Sequence, residues 1–193
     1  MQQSTVRSRR AAPMAPEARR EMIVDAALPL VLEHGERVTT RQIADAAGIA
    51  EGTIFRAFAD KDDVITAVVA RAIDPTALDA ELNEIDVDQS LEKCVDAAIT
   101  AIQLRVSDVW RLLSSVGPRF HPPPSSPRPP LPALVRMFDA HRDRLSVKPA
   151  DAAQRLRALT IAATHPVLNE RPMSARDVAK QFLYGVHVRS ASC

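Results

Sequence analysis

The sequence predicts an all-α protein in which a three-helix, helix-turn-helix domain precedes a larger helical domain. Only 5 of the 193 residues are glycine, and alanine, leucine and arginine dominate the composition. The last three residue types favour helices. Apolar residues recur at intervals of three and four positions, as in helices with one buried side, and the sequence has no alternating strand pattern.

Composition excludes several protein classes. With 46% hydrophobic and 25% charged residues, the chain is predicted to be globular rather than wholly disordered. No stretch approaches 18 consecutive apolar residues, so we expect neither a membrane span nor a membrane partner. The segment from Met1 to Ala11 is polar and arginine-bearing, which predicts no secretory signal. Two cysteines, Cys94 and Cys193, are typical of a reducing cytosol, so a cytoplasmic protein is expected.

Residues 1–16 are predicted to form a disordered basic arm. Pro13 and Pro16 flank a stretch of small residues, which disfavours regular structure. Residues 1–20 contain five arginines and one acidic residue, although the net charge of the whole chain is only +1. The basic charge is therefore concentrated at this end of the chain, where it is either a solvated tail or a binding arm.

Residues 17–61 are predicted to form a compact helical domain. Its first helix extends from Glu17 to about His34, with Pro29 inside it and Gly35 at its end. We expect Pro29 to kink this helix. The inner side of the helix is marked by helically spaced apolar residues: Ile23, Ala26, Ala27, Leu30 and Val31.

Two short helices follow, joined by a tight turn. Thr39 opens the second helix and, with Gln42 three residues later, predicts a capping box. Gly48 ends this helix because glycine tolerates a positive φ angle, and Ile49 is expected to fill the crevice between the two helices. The third helix is predicted at about Ala50 to Phe58. Such a helix can enter the major groove of DNA, although any three-helix bundle with a short connection is the alternative.

Residues 62–193 are predicted to form the second domain, which is helical except for a proline-rich segment. Between Pro118 and Pro132, 8 of 15 residues are proline, so a helix cannot cross this segment. Asp60 is expected to cap the helix that leads into the domain. The first predicted helix of the domain ends at Pro75. The others cover residues 76–84, Asp88 to Val116, Leu131 to Leu145, Ala150 to Thr164, and Ser174 to about Val188.

Residues 18–70 resemble the TetR family of bacterial transcriptional regulators without a gap. The resemblance is carried by Ala26-Ala27, Gly35, Thr39-Thr40, Ile43-Ala44, Ala47-Gly48-Ile49, Gly52-Thr53-Ile54-Phe55, Phe58 and Lys61. It implies an N-terminal DNA-binding domain and a C-terminal domain for ligand binding and dimerisation. The expected protein is a repressor that binds a palindromic operator as a homodimer and is released by a small-molecule effector. An activator of the same fold and a helical interaction adaptor that uses the proline-rich segment are the alternatives.

The resemblance also implies which residues contact DNA. Hydroxyl groups and cations would hold phosphates, and Lys61 would do this at the start of the fourth helix. Glu51 and Gly52 would lie against the bases. Phe55 replaces the tyrosine more usual at its position, so only ring packing is expected there, and Ala50 offers no capping oxygen. The ten expected contact residues are Arg19, Arg20, Thr40, Arg41, Glu51, Gly52, Thr53, Phe55, Arg56 and Lys61.

The second domain is expected to hold the effector and the dimer interface. A cavity lined by bulky and polar side chains is predicted around the long helix, with a packed core as the alternative: Arg105, Trp110, Phe120, Met137, Phe138 and His141. By resemblance, the last two helices would pair with those of a second copy. Their expected interface residues are Ala152, Leu156, Leu159, Ala163, Val178, Phe182, Leu183 and Val186.

The sequence offers little to an enzyme. Its five histidines are scattered, and neither an H-x-x-x-H nor a C-x-x-C spacing occurs. No glycine-rich phosphate loop is present, and Cys94 is expected to be a core residue rather than a nucleophile. We therefore predict a protein without catalytic activity, metal or cofactor.

Overall fold

The fold is all-α, as predicted. A computed structural model describes residues 14–123, 130–169 and 171–186. These ranges contain nine α-helices and no β-strand. The helices are α1 (Pro16–His34), α2 (Thr40–Ala47), α3 (Glu51–Ala57), α4 (Lys61–Ile73), α5 (Thr76–Asn83), α6 (Leu91–Ser115), α7 (Pro132–Ala140), α8 (Pro149–Thr164) and α9 (Ala175–Val186). Within the described ranges, every helix is too short or too polar to span a bilayer.

The chain divides into two compact units, the first ending at Val68 and the second beginning at Val69. In the first unit, α1 packs against both α2 and α3, and α2 packs against α3. Fully buried aliphatic side chains fill its centre: Ile23, Val31, Ile43, Ile54, Val64 and Ile65. In the second unit, α6 packs against α8 and α9, and α7 packs against α5 and α8.

Local sequence signals explain the ends of α2. The hydroxyl of Thr39 accepts a hydrogen bond from the Gln42 backbone N–H, and the Gln42 side chain accepts one from the Thr39 N–H, so the predicted capping box is confirmed. Gly48 has a φ of 67°, in the left-handed region that favours glycine. The N–H of Ile49 then donates to the Ala44 carbonyl, which satisfies an orphan acceptor at the end of the helix.

The neighbouring helices begin and end close to the predicted positions. Helix α1 continues through Pro29 as far as His34, and its C-cap is Gly35. Ala50 caps α3 without a side-chain hydrogen bond, as expected from its methyl group. The Asp60 carboxylate accepts a hydrogen bond of 2.8 Å from the Asp63 N–H at the start of α4, which confirms the predicted cap.

Helix α7 is shorter than predicted. It ends at Ala140 instead of Leu145, and residues Arg142–Arg144 form a 3-10 turn. This turn consists of three charged residues with no apolar side chain to bury, and Arg144 instead makes a paired contact with the Glu92 carboxylate on α6. The arginine holds the pKa of Glu92 down at about 2.

A continuous hydrophobic core occupies the second unit. Helices α5 to α9 all contribute to it, and the rings of Phe138 and Phe182 lie 5.6 Å apart at its centre. Cys94 is buried in this core, and its Sγ lies 3.5 Å from Nε2 of His141. Burial raises the pKa of the Cys94 thiol, which keeps the thiol neutral and a poor nucleophile.

Candidate nucleic-acid interface

The turn at Gly48 leaves one side of α3 without a protein partner. Ile54 is fully buried and fixes the inner side of this seven-residue helix. Glu51, Gly52 and Arg56 are exposed, and Phe55 has 53% of its surface accessible. The outer side of α3 therefore presents a carboxylate, an aromatic ring and a guanidinium to solvent.

Gly52 is not required by the packing of the protein itself. A Cβ atom built at this position meets no other atom within 4 Å, and the φ angle lies outside the left-handed region. A Cβ atom at this position would therefore be accommodated inside the isolated chain. The absence of a side chain instead clears space on the outer side of α3, where the backbone of a reading helix approaches a nucleic acid.

Thr40 and Glu51 join the beginnings of the two helices of the motif. The Thr40 hydroxyl on α2 donates a hydrogen bond of 2.5 Å to Oε1 of Glu51 on α3. Arg41, the next residue of α2, is exposed, and Thr53 on α3 is half-buried. The exposed side of the motif thus combines two arginines, a carboxylate fixed by a hydroxyl, and the Phe55 ring.

Lys61 makes a contact within the protein that the sequence did not predict. Its Nζ donates a hydrogen bond of 2.5 Å to the backbone carbonyl of Glu36 and so links the start of α4 to the turn that follows α1. An ammonium group has three donors, and this bond uses one of them. The phosphate contact expected of Lys61 stays a prediction.

Arg20 is likewise held by the protein. Its guanidinium lies over the Phe58 ring, with 4.0 Å between Cζ and the ring centroid, and donates to the carbonyl of Ala57. It also lies 4.0 Å from the Asp63 carboxylate. Arg20 therefore fastens α1 to the end of α3. The neighbouring Arg19 donates only to the Met14 carbonyl, at 3.2 Å. Residues 1–13 of the predicted basic arm lie outside the described residues.

The six residues predicted to line an effector cavity have different neighbours among the described residues, and their role in effector binding stays a prediction. Met137 and Phe138 are packed into the core, which favours the alternative of a packed core for these two. His141 lies beside Cys94, and the Arg105 guanidinium donates to the Asp74 carbonyl at 2.8 Å. His141 therefore borders the core that contains Met137 and Phe138, whereas Arg105 bonds to the residue that follows α4.

The remaining two predicted cavity residues also have neighbours of their own. The Trp110 ring meets the ring of His165 edge to face, with 4.0 Å between centroids. Phe120 is buried, and the guanidinium of Arg119 lies 4.6 Å from its ring centroid. No single pocket described in the second unit includes any of the six predicted residues.

Two surface grooves lie elsewhere in the second unit. One, of about 330 Å³, lies between α7 and α8, and we call it the α7–α8 groove. It is lined by Pro130, Leu131, Leu134, Val135, Ala150, Ala153, Gln154, Arg157 and Ala158. The other, of about 320 Å³, lies beside α5 and the start of α6 and includes three carboxylates, from Glu81, Glu84 and Asp86.

Most of the predicted dimer residues are buried within the single chain. Five of them are at most 5% exposed within the single chain, and they belong to its own core: Ala152, Leu156, Ala163, Val178 and Phe182. Their burial leaves these five side chains little surface for a second copy, and their part in a dimer interface stays a prediction. Leu159 and Leu183 are half-buried against the same core, and the side chain of Val186 lies outside the described residues.

The outer side of α8 is the part of this helix that remains accessible. Arg155 and Ala162 are exposed there, and Ile161 is half-exposed. Directly after the helix, Val167 and Leu168 are 82% and 66% exposed, the two largest exposures among the large apolar residues described. The periodicity of α8 had indicated correctly that the helix has an apolar side, but that side faces the core of the same chain.

The described residues hold no group of three histidine, cysteine, aspartate or glutamate side chains arranged to bind a metal ion. The geometry is instead that of a helix-turn-helix: two short helices joined by a left-handed glycine, with the outer side of the second helix open. This arrangement defines a class of DNA-binding proteins.

Comparison with known proteins gives the family. Residues 23–68 match the family model of bacterial regulatory proteins of the tetR family. The N-terminal helix-turn-helix domain is that of this family, and the all-α fold of the chain is that of TetR-family transcriptional regulators. The resemblance noted in the sequence is therefore confirmed.

Solved structures share the fold over most of the chain. SmeT, the repressor of the Stenotrophomonas maltophilia multidrug efflux pump SmeDEF, is 20% identical with a TM-score of 0.53, over 90% of this chain and 92% of SmeT. NalD, the secondary repressor of the MexAB-OprM multidrug efflux pump in Pseudomonas aeruginosa, is 20% identical with a TM-score of 0.50, over 90% of this chain and 98% of NalD. At these identities the likeness concerns the fold.

Proposed function

We propose that this protein is a transcriptional repressor that binds a palindromic operator as a homodimer and is released by a small-molecule effector. The observation that carries the proposal is the open outer side of α3, where Gly52 clears space and Phe55 and Arg56 are exposed. The repressor role is supported by SmeT and NalD, which share the fold and are themselves repressors. The protein would act in the cytoplasm, where its DNA lies, and without catalysis.

In this mechanism α3 lies in the major groove and the basic groups around it hold the phosphates. The major groove is about 12 Å wide and admits one α-helix. The backbone N–H of Thr40, the hydroxyl of Thr53 and the cations of Arg41 and Lys61 would fix the position of the helix on the backbone. Arg19 and the arm that precedes it would add phosphate contacts beyond the motif.

A homodimer supplies the second reading helix. Two copies of α3 about 34 Å apart would meet successive major grooves on one side of the duplex, which explains the expected palindrome. We propose that the outer side of α8, with Ala162 at its centre, and the exposed Val167 and Leu168 take part in the pairing. Ala162→Arg is expected to shift sedimentation of the protein toward the monomer, whereas Ala80→Arg, on the exposed side of α5, is the matched control.

The effector is proposed to bind in the α7–α8 groove. Buried Leu131 and Leu134 give the groove an apolar floor, and Gln154 and Arg157 are its amide and its cation. Because no carboxylate is among the described residues that line it, the groove suits a compact apolar molecule with an anionic group. Anilinonaphthalene sulfonate has this chemistry, and its fluorescence should rise with the wild-type protein and much less with Ala158→Trp, in which an indole occupies the groove. Equal fluorescence of the two proteins would place the effector elsewhere.

DNA selection tests the proposed function. Random duplexes are incubated with the full-length protein, the bound fraction is sequenced, and affinity for the selected site is measured from 50 to 400 mM salt. We expect a palindromic site. A plot of log affinity against log salt concentration should be linear, with a slope of about −0.9 for each phosphate contact. Failure to enrich any site from the random pool would refute the proposal.

Lys61→Ala tests the phosphate contact within this experiment. Affinity should fall by a similar factor for every sequence, and the salt slope should decrease by about one. Lys93→Ala, which removes an exposed cation from α6 in the second unit, is the control and should leave the slope unchanged. Because Lys61 also bonds the Glu36 carbonyl, circular dichroism must show an intact fold; an intact fold with an unaltered slope would contradict the contact.

A further inference from the structure

Glu51 occupies a reading position but has the charge least suited to DNA. It is the first residue of α3 and is exposed, and the N-terminal residues of a helix-turn-helix recognition helix contact the edges of bases. A carboxylate is repelled by phosphates and, when ionised, only accepts hydrogen bonds. A carboxylate at this position is therefore useful only opposite a hydrogen-bond donor of a base.

The major groove offers few such donors. Cytosine presents its N4 amino group there, and adenine presents an N6 amino group next to the N7 acceptor. A glutamate matches cytosine, because N7 of adenine would face a second acceptor. Gly52 follows Glu51 directly and leaves the space beside it open, so the backbone does not keep the carboxylate away from the base edge.

Thr40 fixes the carboxylate before any DNA is present. Its hydroxyl donates to Oε1 of Glu51, which leaves Oε2 to accept a further hydrogen bond. The donor lies on α2 and the acceptor on α3, so the bond orients the Glu51 side chain relative to the whole motif. A side chain that is already oriented loses less conformational freedom on binding, which favours selective recognition.

We propose that Glu51 is a specificity-determining residue that reads the N4 amino group of a cytosine in each half-site, and that Thr40 is its positioning residue. The inference rests on the proposed function, since it requires α3 to lie in the major groove. It goes further by naming the base, the atom and the side chain that reads them.

The test uses the operator obtained by selection with the full-length protein. Glu51→Gln first identifies the position of the half-site at which the base preference changes. The cytosine at this position is then replaced by 2-pyrimidinone, which lacks the N4 amino group. We expect the wild-type protein to lose about 10- to 150-fold in affinity, the range for one hydrogen bond to a charged group. Glu51→Gln should be insensitive to this replacement and should prefer adenine at that position, because an amide pairs with N6 and N7 of adenine.

Two variants of Thr40 separate positioning from a structural role. Thr40→Val should lower the ratio of affinities for cytosine and for the other bases at that position, whereas Thr40→Ser, which keeps the hydroxyl, should restore it. The ratio is the relevant readout because lost phosphate contacts weaken binding to all sequences alike. Asp45→Asn removes an exposed acidic charge from α2 and is the control, with an unchanged ratio expected.

Different outcomes identify different errors. If the protein selects a site but Glu51→Gln retains the wild-type preference at every position, Glu51 reads no base and the inference is overturned while the proposed function stands. If Thr40→Val retains the wild-type ratio, the assignment of Thr40 is overturned. If the wild-type protein selects no DNA at all, both the proposed function and this inference fail.

Discussion

Replacing Arg20 by alanine is expected to loosen the attachment of α1 to the end of α3. The guanidinium lies 4.0 Å from the centroid of the Phe58 ring and donates to the Ala57 carbonyl, and Asp63 lies 4.0 Å away. All three partners belong to the first unit. The substitution removes these contacts together while leaving the buried aliphatic core intact.

The magnitude follows from these contacts. A cation above an aromatic ring at a partly exposed site contributes about 0.5–1 kcal/mol. A hydrogen bond from a charged donor adds about 0.5–1 kcal/mol here, below the usual range for such bonds because 44% of the Arg20 side chain is exposed. The pair with Asp63, itself 39% exposed, contributes little because solvent screens it. The total is about 1–2 kcal/mol of local stability.

Amide hydrogen exchange measures this local stability directly. Peptides from α1 and α3 should exchange about 5- to 30-fold faster in Arg20→Ala, the factor that corresponds to 1–2 kcal/mol. Arg19→Ala is the matched control because Arg19 makes a single bond to the exposed Met14 carbonyl. Emission of Trp110, the only tryptophan of the chain, should give an unchanged unfolding transition for the second unit.

Two results would refute this reasoning. Unchanged exchange in α1 and α3 would show that the contacts of Arg20 do not stabilise the unit. Full recovery in Arg20→Lys would show that positive charge alone matters, since an ammonium group lacks the planar guanidinium that covers the Phe58 ring.

Three further predictions concern stability. Gly48→Ala should lower the free energy of unfolding of the first unit by about 1–2 kcal/mol, because the φ angle of 67° is strained for alanine even though the space around the site is free. Urea unfolding measures this change, and an unchanged midpoint would contradict the prediction. Phe138→Ala should lower the free energy of unfolding of the second unit by about 3–5 kcal/mol, because the ring is fully buried in the core. Trp110 emission monitors this unfolding, and a loss below about 1 kcal/mol would argue against that packing. Arg144 lowers the pKa of Glu92 from 4.5 to about 2, so the stability this pair adds is complete above pH 4.5 and is lost as the pH falls toward 2. Both side chains are 40–48% exposed, so the loss should be at most about 1 kcal/mol and absent in Glu92→Gln.

The first unit was predictable because its signals are local. The pair Thr39 and Gln42 lies within one helical turn, and Gly48 carries the turn by itself, so neither depends on distant parts of the chain. The cap at Asp60 is of the same kind. The exposed position of Gly52 also agrees with the role that the family resemblance implied for it.

The contacts between distant residues were not predictable. Periodicity showed that Leu156 and Phe182 lie on apolar sides of their helices, but it contains no information on whether the same chain or a second copy covers those sides. Arg20 reaches Ala57, 37 positions along the chain, because a long side chain can cross between packed helices. A charge pattern that is also typical of a solvated arm cannot reveal such a contact.

The effector residues illustrate the same limit of sequence patterns. Bulky side chains such as Trp110 and Met137 occur both in cavities and in packed cores, and the sequence does not distinguish the two. In the structure Trp110 packs against His165, and Met137 is buried. The α7–α8 groove depends instead on which small residues of α8 face α7, which follows only from the packing angle of the helices.

Dimethyl sulfate footprinting of the selected operator tests most directly whether α3 enters the major groove twice per dimer. The reagent methylates N7 of guanine, which lies in that groove. The account predicts protected guanines in two clusters about 10 base pairs apart, at matching positions of the two half-sites. Full reactivity at every guanine of a site containing guanine in both halves, while the protein remains bound, would contradict it.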